Sequence, residues 1–143
     1  MKAALQEAER AFDANEVPVG AVVVQKDKIV GRGHNLVEAL KDPTAHAEMI
    51  AVTAACETLK SKYLGGCTLY VTLEPCPMCA GAIVLARLDR LVFGALDTRA
   101  GAASTLYSIP QDHRLNHRLD VVSGVLVTES ASLLQSFFRE RRS

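Results

Sequence analysis

Thr68-Leu69-Tyr70-Val71-Thr72-Leu73 reads as a strand, and Glu74-Pro75-Cys76-Pro77-Met78-Cys79 follows it without a linker. Pro75 and Pro77 bracket the start of a helix running to about Arg87, because proline is tolerated in the first helical turn and nowhere further in. A strand that feeds directly into a helix predicts a crossover, and a second strand at Arg90 to Ala95 completes it. Upstream, Val19 to Val24 is a continuous, β-branched run that reads as a buried strand. Lys26-Asp27-Lys28 is a turn, and Ile29 to His34 returns as the second arm of a hairpin.

Helices fill the intervals. Leu5, Ala8, Ala11 and Phe12 fall at helical spacing over residues 2–14. Asp42-Pro43-Thr44 announces a helix from about 44 to 60, with Asp or Thr as its cap. Gly65-Gly66 breaks the chain before the third strand. Residues 96–118 are irregular. Asp120 to Leu126 reads as a fifth strand, and Glu129 to Arg141 as a last helix carrying Leu133, Leu134, Phe137 and Phe138. Strands alternating with helices predict a three-layer α/β/α sandwich on a mixed five-stranded sheet. A chain of 143 residues that is 49% hydrophobic suits one domain with a full core, spanning residues 1–143.

The apolar runs are far shorter than the ~20 residues a membrane span requires. The charged start MKAALQEAER is unlike the apolar segment of a signal peptide, so a cytoplasmic protein is expected. Sixteen basic residues balance sixteen acidic ones. That total gives no support for a nucleic-acid partner, and distribution matters more than the sum. Local basic stretches occur at His113 to Arg118 and at Arg139 to Arg142, where a solvated surface is an equal reading.

Four cysteines do not make a disulfide scaffold. Cys76 and Cys79, at i and i+3, aim both sulfurs at one point from a helix N-terminus, where the dipole favours thiolate. With His46 of Thr44-Ala45-His46-Ala47-Glu48 they form a nitrogen–sulfur–sulfur donor set suited to zinc. Three protein ligands leave a fourth tetrahedral position for water, the mark of a catalytic site. Glu48, two residues from His46, would stand on the opposite side of a regular helix and is poorly placed as a ligand. It can instead serve as the proton carrier. A redox Cys-x-x-Cys pair is the rival for the cysteines alone, but it leaves His46 and Glu48 without a role. Cys56 and Cys67 read as core filler; Cys67 as a fourth ligand would make the site structural.

Together with these motifs, Val17-Pro18-Val19-Gly20-Ala21, Gly33-His34-Asn35, Phe93-Gly94-Ala95, Gly101-Ala102-Ala103, Asn116-His117-Arg118 and Phe137-Phe138-Arg139 make the chain resemble, nearly end to end, the bacterial tRNA adenosine deaminases of the cytidine deaminase-like fold. The resemblance implies hydrolysis of adenosine to inosine at the wobble position of a tRNA anticodon. It implies one Zn2+ per subunit, no organic cofactor, and a homodimer with the anticodon stem-loop lying across both subunits. A zinc deaminase of a free base or nucleoside, and an inert zinc-bound RNA-binding subunit, are the alternatives. Position by position, the resemblance implies that Asn35 hydrogen-bonds the extruded base and Val19 packs against it. Asp97 would lie near the sugar, and Arg99 and Asn116 would face RNA. Phe137, Arg139, Arg141 and Arg142 would support the anticodon stem.

Overall fold

The computed structural model describes residues 1–142, with the side chain of Arg142 excepted. Its sheet has the order β2-β1-β3-β4-β5. The strands are β1 (Gly20–Gln25), β2 (Lys28–His34), β3 (Cys67–Leu73), β4 (Arg90–Ala95) and β5 (Asp120–Val122). β1 runs antiparallel to both β2 and β3, whereas β3, β4 and β5 are parallel. The sheet is therefore mixed, as the hairpin and the later crossover require. Lys26 and Asp27 form the two-residue hairpin turn, both with left-handed backbone (φ 50° and 65°). Two such residues in succession match the right-handed twist of the strands they join.

Helix α1 (Lys2–Asp13) and helix α5 (Val127–Arg142) cover one face, while α3 (Ala47–Leu59) and α4 (Pro77–Leu85) cover the other. A short helix, α2 (Val37–Leu40), lies between β2 and α3. The main core lies between the sheet and α3/α4, where Ala21, Val23, Leu69, Val71, Leu91 and Phe93 meet Ala47, Ala51, Ala55 and Ile83. Small side chains let α3 approach the sheet closely. At Gly33 of β2 a Cβ would come within 2.5 Å of the Ala47 carbonyl, and at Gly31 within 2.4 Å of that of Ala51. These two glycines set the height of α3 above the sheet.

Several boundaries differ from expectation for identifiable reasons. The buried stripe of α1 is Ala4, Glu7, Ala8 and Ala11; Ala8 and Ala11 fall where expected, while Leu5 and Phe12 are half-buried at its edge. Glu7 tolerates burial because Arg10, Arg32 and His34 all contact its carboxylate, at 2.8, 3.4 and 3.1 Å. α3 begins at Ala47, not 44. Asp42 spends its carboxylate on its own turn, accepting from the Thr44 N–H (2.8 Å) and hydroxyl (2.7 Å), so it caps no helix. α4 stops at Leu85, two residues before left-handed Arg87 (φ 58°). β5 ends at Val122 instead of Leu126, because left-handed Gly124 (φ 81°) and Leu126 (φ 53°) break the pleat. α5 begins at Val127, two residues early.

α2 was not expected at all. Its N-terminus is held by acceptors from elsewhere. The Asn35 amide oxygen takes the Val37 N–H (3.1 Å), and the buried Glu16 carboxylate takes those of Glu38 (2.9 Å) and Ala39 (2.7 Å). No helix among the described residues is long and apolar enough to cross a membrane.

Candidate active site

The chemistry-bearing residues gather where the chain leaves the C-terminal end of β3 and enters the N-termini of α3 and α4, as ligands do in open parallel α/β arrangements. Cys76 is the N-cap of α4, with extended backbone, and Pro77 opens the first turn. Cys79 follows one turn later and is fully buried. His46 is the N-cap of α3, also extended (ψ 154°). It is not inside the helix, so the argument that placed Glu48 opposite it on a regular helix does not apply. The extended step turns the imidazole toward the cysteines, while Glu48 rises from the first turn.

His46 Nδ1 lies 3.5 Å from Cys76 Sγ and 3.5 Å from Cys79 Sγ. All three donor atoms fall within 4.8 Å of one another, close enough to hold one metal ion. Both helix N-termini point their unpaired N–H groups at this point, which stabilises negative sulfur. A hydrogen bond from the Cys79 thiol, with help from His46, holds the Cys76 thiol down to about 4. The same shared proton, reinforced by burial, pushes Cys79 upward. Hydrogen bonding to Cys76 raises His46. These shifts favour the thiolate form at Cys76, which is the form that binds a divalent cation.

Glu48 is 4% exposed and lines the same cleft. Burial raises its carboxyl to about 7, with His46 opposing the shift. A carboxyl that titrates near neutral pH both accepts and releases protons readily. Cys67 begins β3 and Cys76 lies beyond its end, so the strand separates them by roughly 20 Å at ~3.3 Å per residue. Cys67 is a buried core residue bonded to the Gly65 carbonyl, not a fourth ligand.

The cleft holds about 940 Å³ and is lined by Val19, Asn35, His46, Glu48, Asp97, Phe137 and Arg141, among others. Asn35 is 8% exposed, and its amide oxygen is engaged by Val37, which leaves its NH2 for a ligand. Asp97 turns one carboxylate oxygen onto the N–H groups of Arg99 (3.0 Å) and Ala100 (3.2 Å). Phe137 is buried at the rim, edge-on to Phe12 and to Phe138. Arg141 stacks on Phe137 at 4.2 Å and donates to the Asn15 carbonyl at 3.0 Å.

Arg99, Asn116 and Arg139 are exposed and stand outside the cleft lining. Of Asn116-His117-Arg118, His117 does structural work, its Nε2 meeting the Leu88 carbonyl at 2.6 Å. Arg142's side chain lies outside the described residues. Sequence reasoning missed two buried carboxylates in the cleft wall, Glu16 and Glu74. Glu16 holds α2. Glu74 accepts from the backbone of Asp97, Ala103, Ser104 and Thr105. Burial opposes its charge, but these bonds outweigh it and keep the carboxyl below its ordinary range.

The whole described chain, residues 1–142, matches the model of the MafB19-like deaminases. The tRNA-specific adenosine deaminase of Bacillus subtilis (strain 168) is 51% identical over 99% of this chain and 88% of its own. That of Aquifex aeolicus (strain VF5) is 49% identical over 100% and 94%. A structure solved in work on A-to-I editing by tRNA:A34 deaminases at the wobble position of transfer RNA superposes with a TM-score of 0.90. It shares 44% identity and covers 94% of this chain and 97% of its own. By identity, coverage and superposition, the chain belongs to the tRNA-specific adenosine deaminases, within the MafB19-like deaminase family.

Proposed function

We propose that this chain hydrolyses adenosine to inosine at the wobble position of a tRNA anticodon, with zinc held by His46, Cys76 and Cys79. The observation that carries the reading is the buried Glu48 carboxyl, set beside the three-donor cluster in the cleft. Bond lengths of ~2.05 Å to nitrogen and ~2.3 Å to sulfur put tetrahedral zinc donors about 3.6 Å apart. Both His46–cysteine separations are 3.5 Å, so the donor set fits. When bound, zinc supplies Lewis acidity that lowers the pKa of a coordinated water to ~7.

Glu48 moves the protons. It takes one from the attacking water and delivers it to purine N1, then passes the second to the departing amine. Adenosine and water thus become inosine and ammonia. The NH2 group of Asn35 donates to the base, and Val19 packs on it. Asp97 stands beside the sugar, with its N–H and carboxylate fixed by the protein. Arg99, Asn116 and Arg139 meet the RNA outside the cleft, and Phe137 supports the rim on which the stem rests. A volume of about 940 Å³ is near the upper end of the ~300–1,000 Å³ taken by single small ligands, which suits a nucleotide with its neighbours over a free base.

A cytoplasmic homodimer completes the proposal. Exposed Leu85, Leu106 and Tyr107 supply apolar surface for a second subunit. The test is inosine formation in an anticodon stem-loop RNA by zinc-loaded protein, run beside free adenosine, cytidine and guanine. Inosine in the RNA supports the reading. Ammonia from a free base with unaltered RNA moves the enzyme to a different substrate, and turnover of neither leaves only a binding protein.

A further inference from the structure

Glu74 follows the last residue of β3 and precedes Pro75 and Cys76, and its side chain is 2% exposed. Its own N–H bonds to the Ala95 carbonyl (2.9 Å), carrying the β3–β4 pairing one step past the strand. The carboxylate then gathers the next loop. Oε1 accepts from the Asp97 N–H (3.0 Å) and the Thr105 hydroxyl. Oε2 accepts from the N–H groups of Ala103 (3.1 Å), Ser104 (2.8 Å) and Thr105 (2.9 Å). The Ala102 N–H closes the ring on the Pro75 carbonyl (2.8 Å). One buried anion therefore satisfies donors from both ends of residues 97–105, two residues from a metal ligand. The loop's own bonds close only its first turn, from the Gly101 N–H to the Asp97 carbonyl (2.9 Å) and from the Arg99 and Ala100 N–H groups to the Asp97 carboxylate, so the Asp97, Ala103, Ser104 and Thr105 N–H groups rely on Glu74 as acceptor.

We propose that Glu74 is a positioning residue that fixes residues 97–105, and through them Asp97 in the cleft wall, and so sets affinity for RNA without acting in the chemistry. The proposal rests on the deaminase reading above. Glu74→Gln is the discriminating variant. Its NH2 suits Oε1 better than Oε2, since Oε2 faces three N–H donors and cannot be replaced by a fourth. At Oε1 the Thr105 hydroxyl can rotate to accept, while the Asp97 N–H is left facing another donor. The substitution thus frees the Asp97 end of the loop in particular.

The experiment measures zinc content, amide hydrogen exchange and steady-state deamination of an anticodon stem-loop by wild type and Glu74→Gln. Zinc stoichiometry should hold. Exchange should quicken in residues 97–105 and stay unchanged in α3. KM should rise about tenfold or more with kcat within about threefold, the pattern of lost uniform binding. A merely structural role would lower the active fraction, and with it apparent kcat, at constant KM. That pattern, or unchanged exchange across 97–105, overturns the proposal. Thr105→Val, which removes only the hydroxyl, should change KM far less; equal effects in the two variants also count against it. Exchange needs no substrate, so wild-type protein that makes no inosine defeats the functional reading while the loop is still tested.

Discussion

Gly33→Ala reaches the site through packing alone. The added Cβ would stand 2.5 Å from the Ala47 carbonyl, 2.7 Å from the Ala51 nitrogen and 2.8 Å from Ile50 Cβ. Ordinary contact begins at 3.4 Å, and the nearest obstacle is backbone, so α3 must retreat by about 0.9 Å. Overpacking of this kind costs about 1–3 kcal/mol. At roughly 2–4 °C per kcal/mol for a chain of this size, the melting temperature should fall by about 2–12 °C. The larger effect falls on the site. Ala47 follows His46 and precedes Glu48, so the retreat moves the proposed ligand and the proposed proton carrier together. A misplacement of ~1 Å in a catalytic group costs on the order of a hundredfold in rate. The assay is kcat on stem-loop RNA with melting temperature and zinc content, and Gly65→Ala is the control, since nothing lies within 4 Å of its added Cβ. If Gly33→Ala melts and turns over like wild type, α3 is not held at the height described, and the reasoning is wrong.

Glu48→Gln should keep its metal and fold, because Glu48 is not a ligand, and lose about 10²–10⁴-fold in kcat; retained turnover, measured as inosine per active site, removes it as the proton carrier. Cys76→Ala should bind no stoichiometric metal by elemental analysis, and full occupancy would exclude Cys76 from the ligand set. Phe137→Ala removes a ring that is 5% exposed and braces Phe12. It should cost about 3–5 kcal/mol in denaturant unfolding, whereas a cost under ~1 kcal/mol would mean that the rim does not depend on it.

The fold was legible where one segment carried its own signal. Continuous β-branched residues in β1 and the proline bracket before α4 each encode a local geometry, and the donor cluster shares that legibility because His46 and Cys76 each cap a helix and Cys79 follows Cys76 by one turn. What escaped depends on distant partners. α2 is held by Glu16, some twenty residues upstream, and Glu7 is buried because β2 brings Arg32 and His34 to it. Glu74 stood in plain view beside the cysteines, but nothing in its neighbours announces a loop thirty residues on. Asp42 shows the converse failure, since its capping signal is real and is spent on Thr44. Periodicity placed Ala8 and Ala11 on the buried face of α1 but set its edge at Leu5, which is larger than Ala4, while close packing on the sheet favours the smaller side chain.

X-ray absorption at the zinc edge on the purified protein tests the metal centre most directly. The account predicts two sulfur neighbours at ~2.3 Å and two light atoms at ~2.0–2.1 Å, one from His46 and one from solvent. A third sulfur, or protein prepared with zinc that carries none, would contradict it.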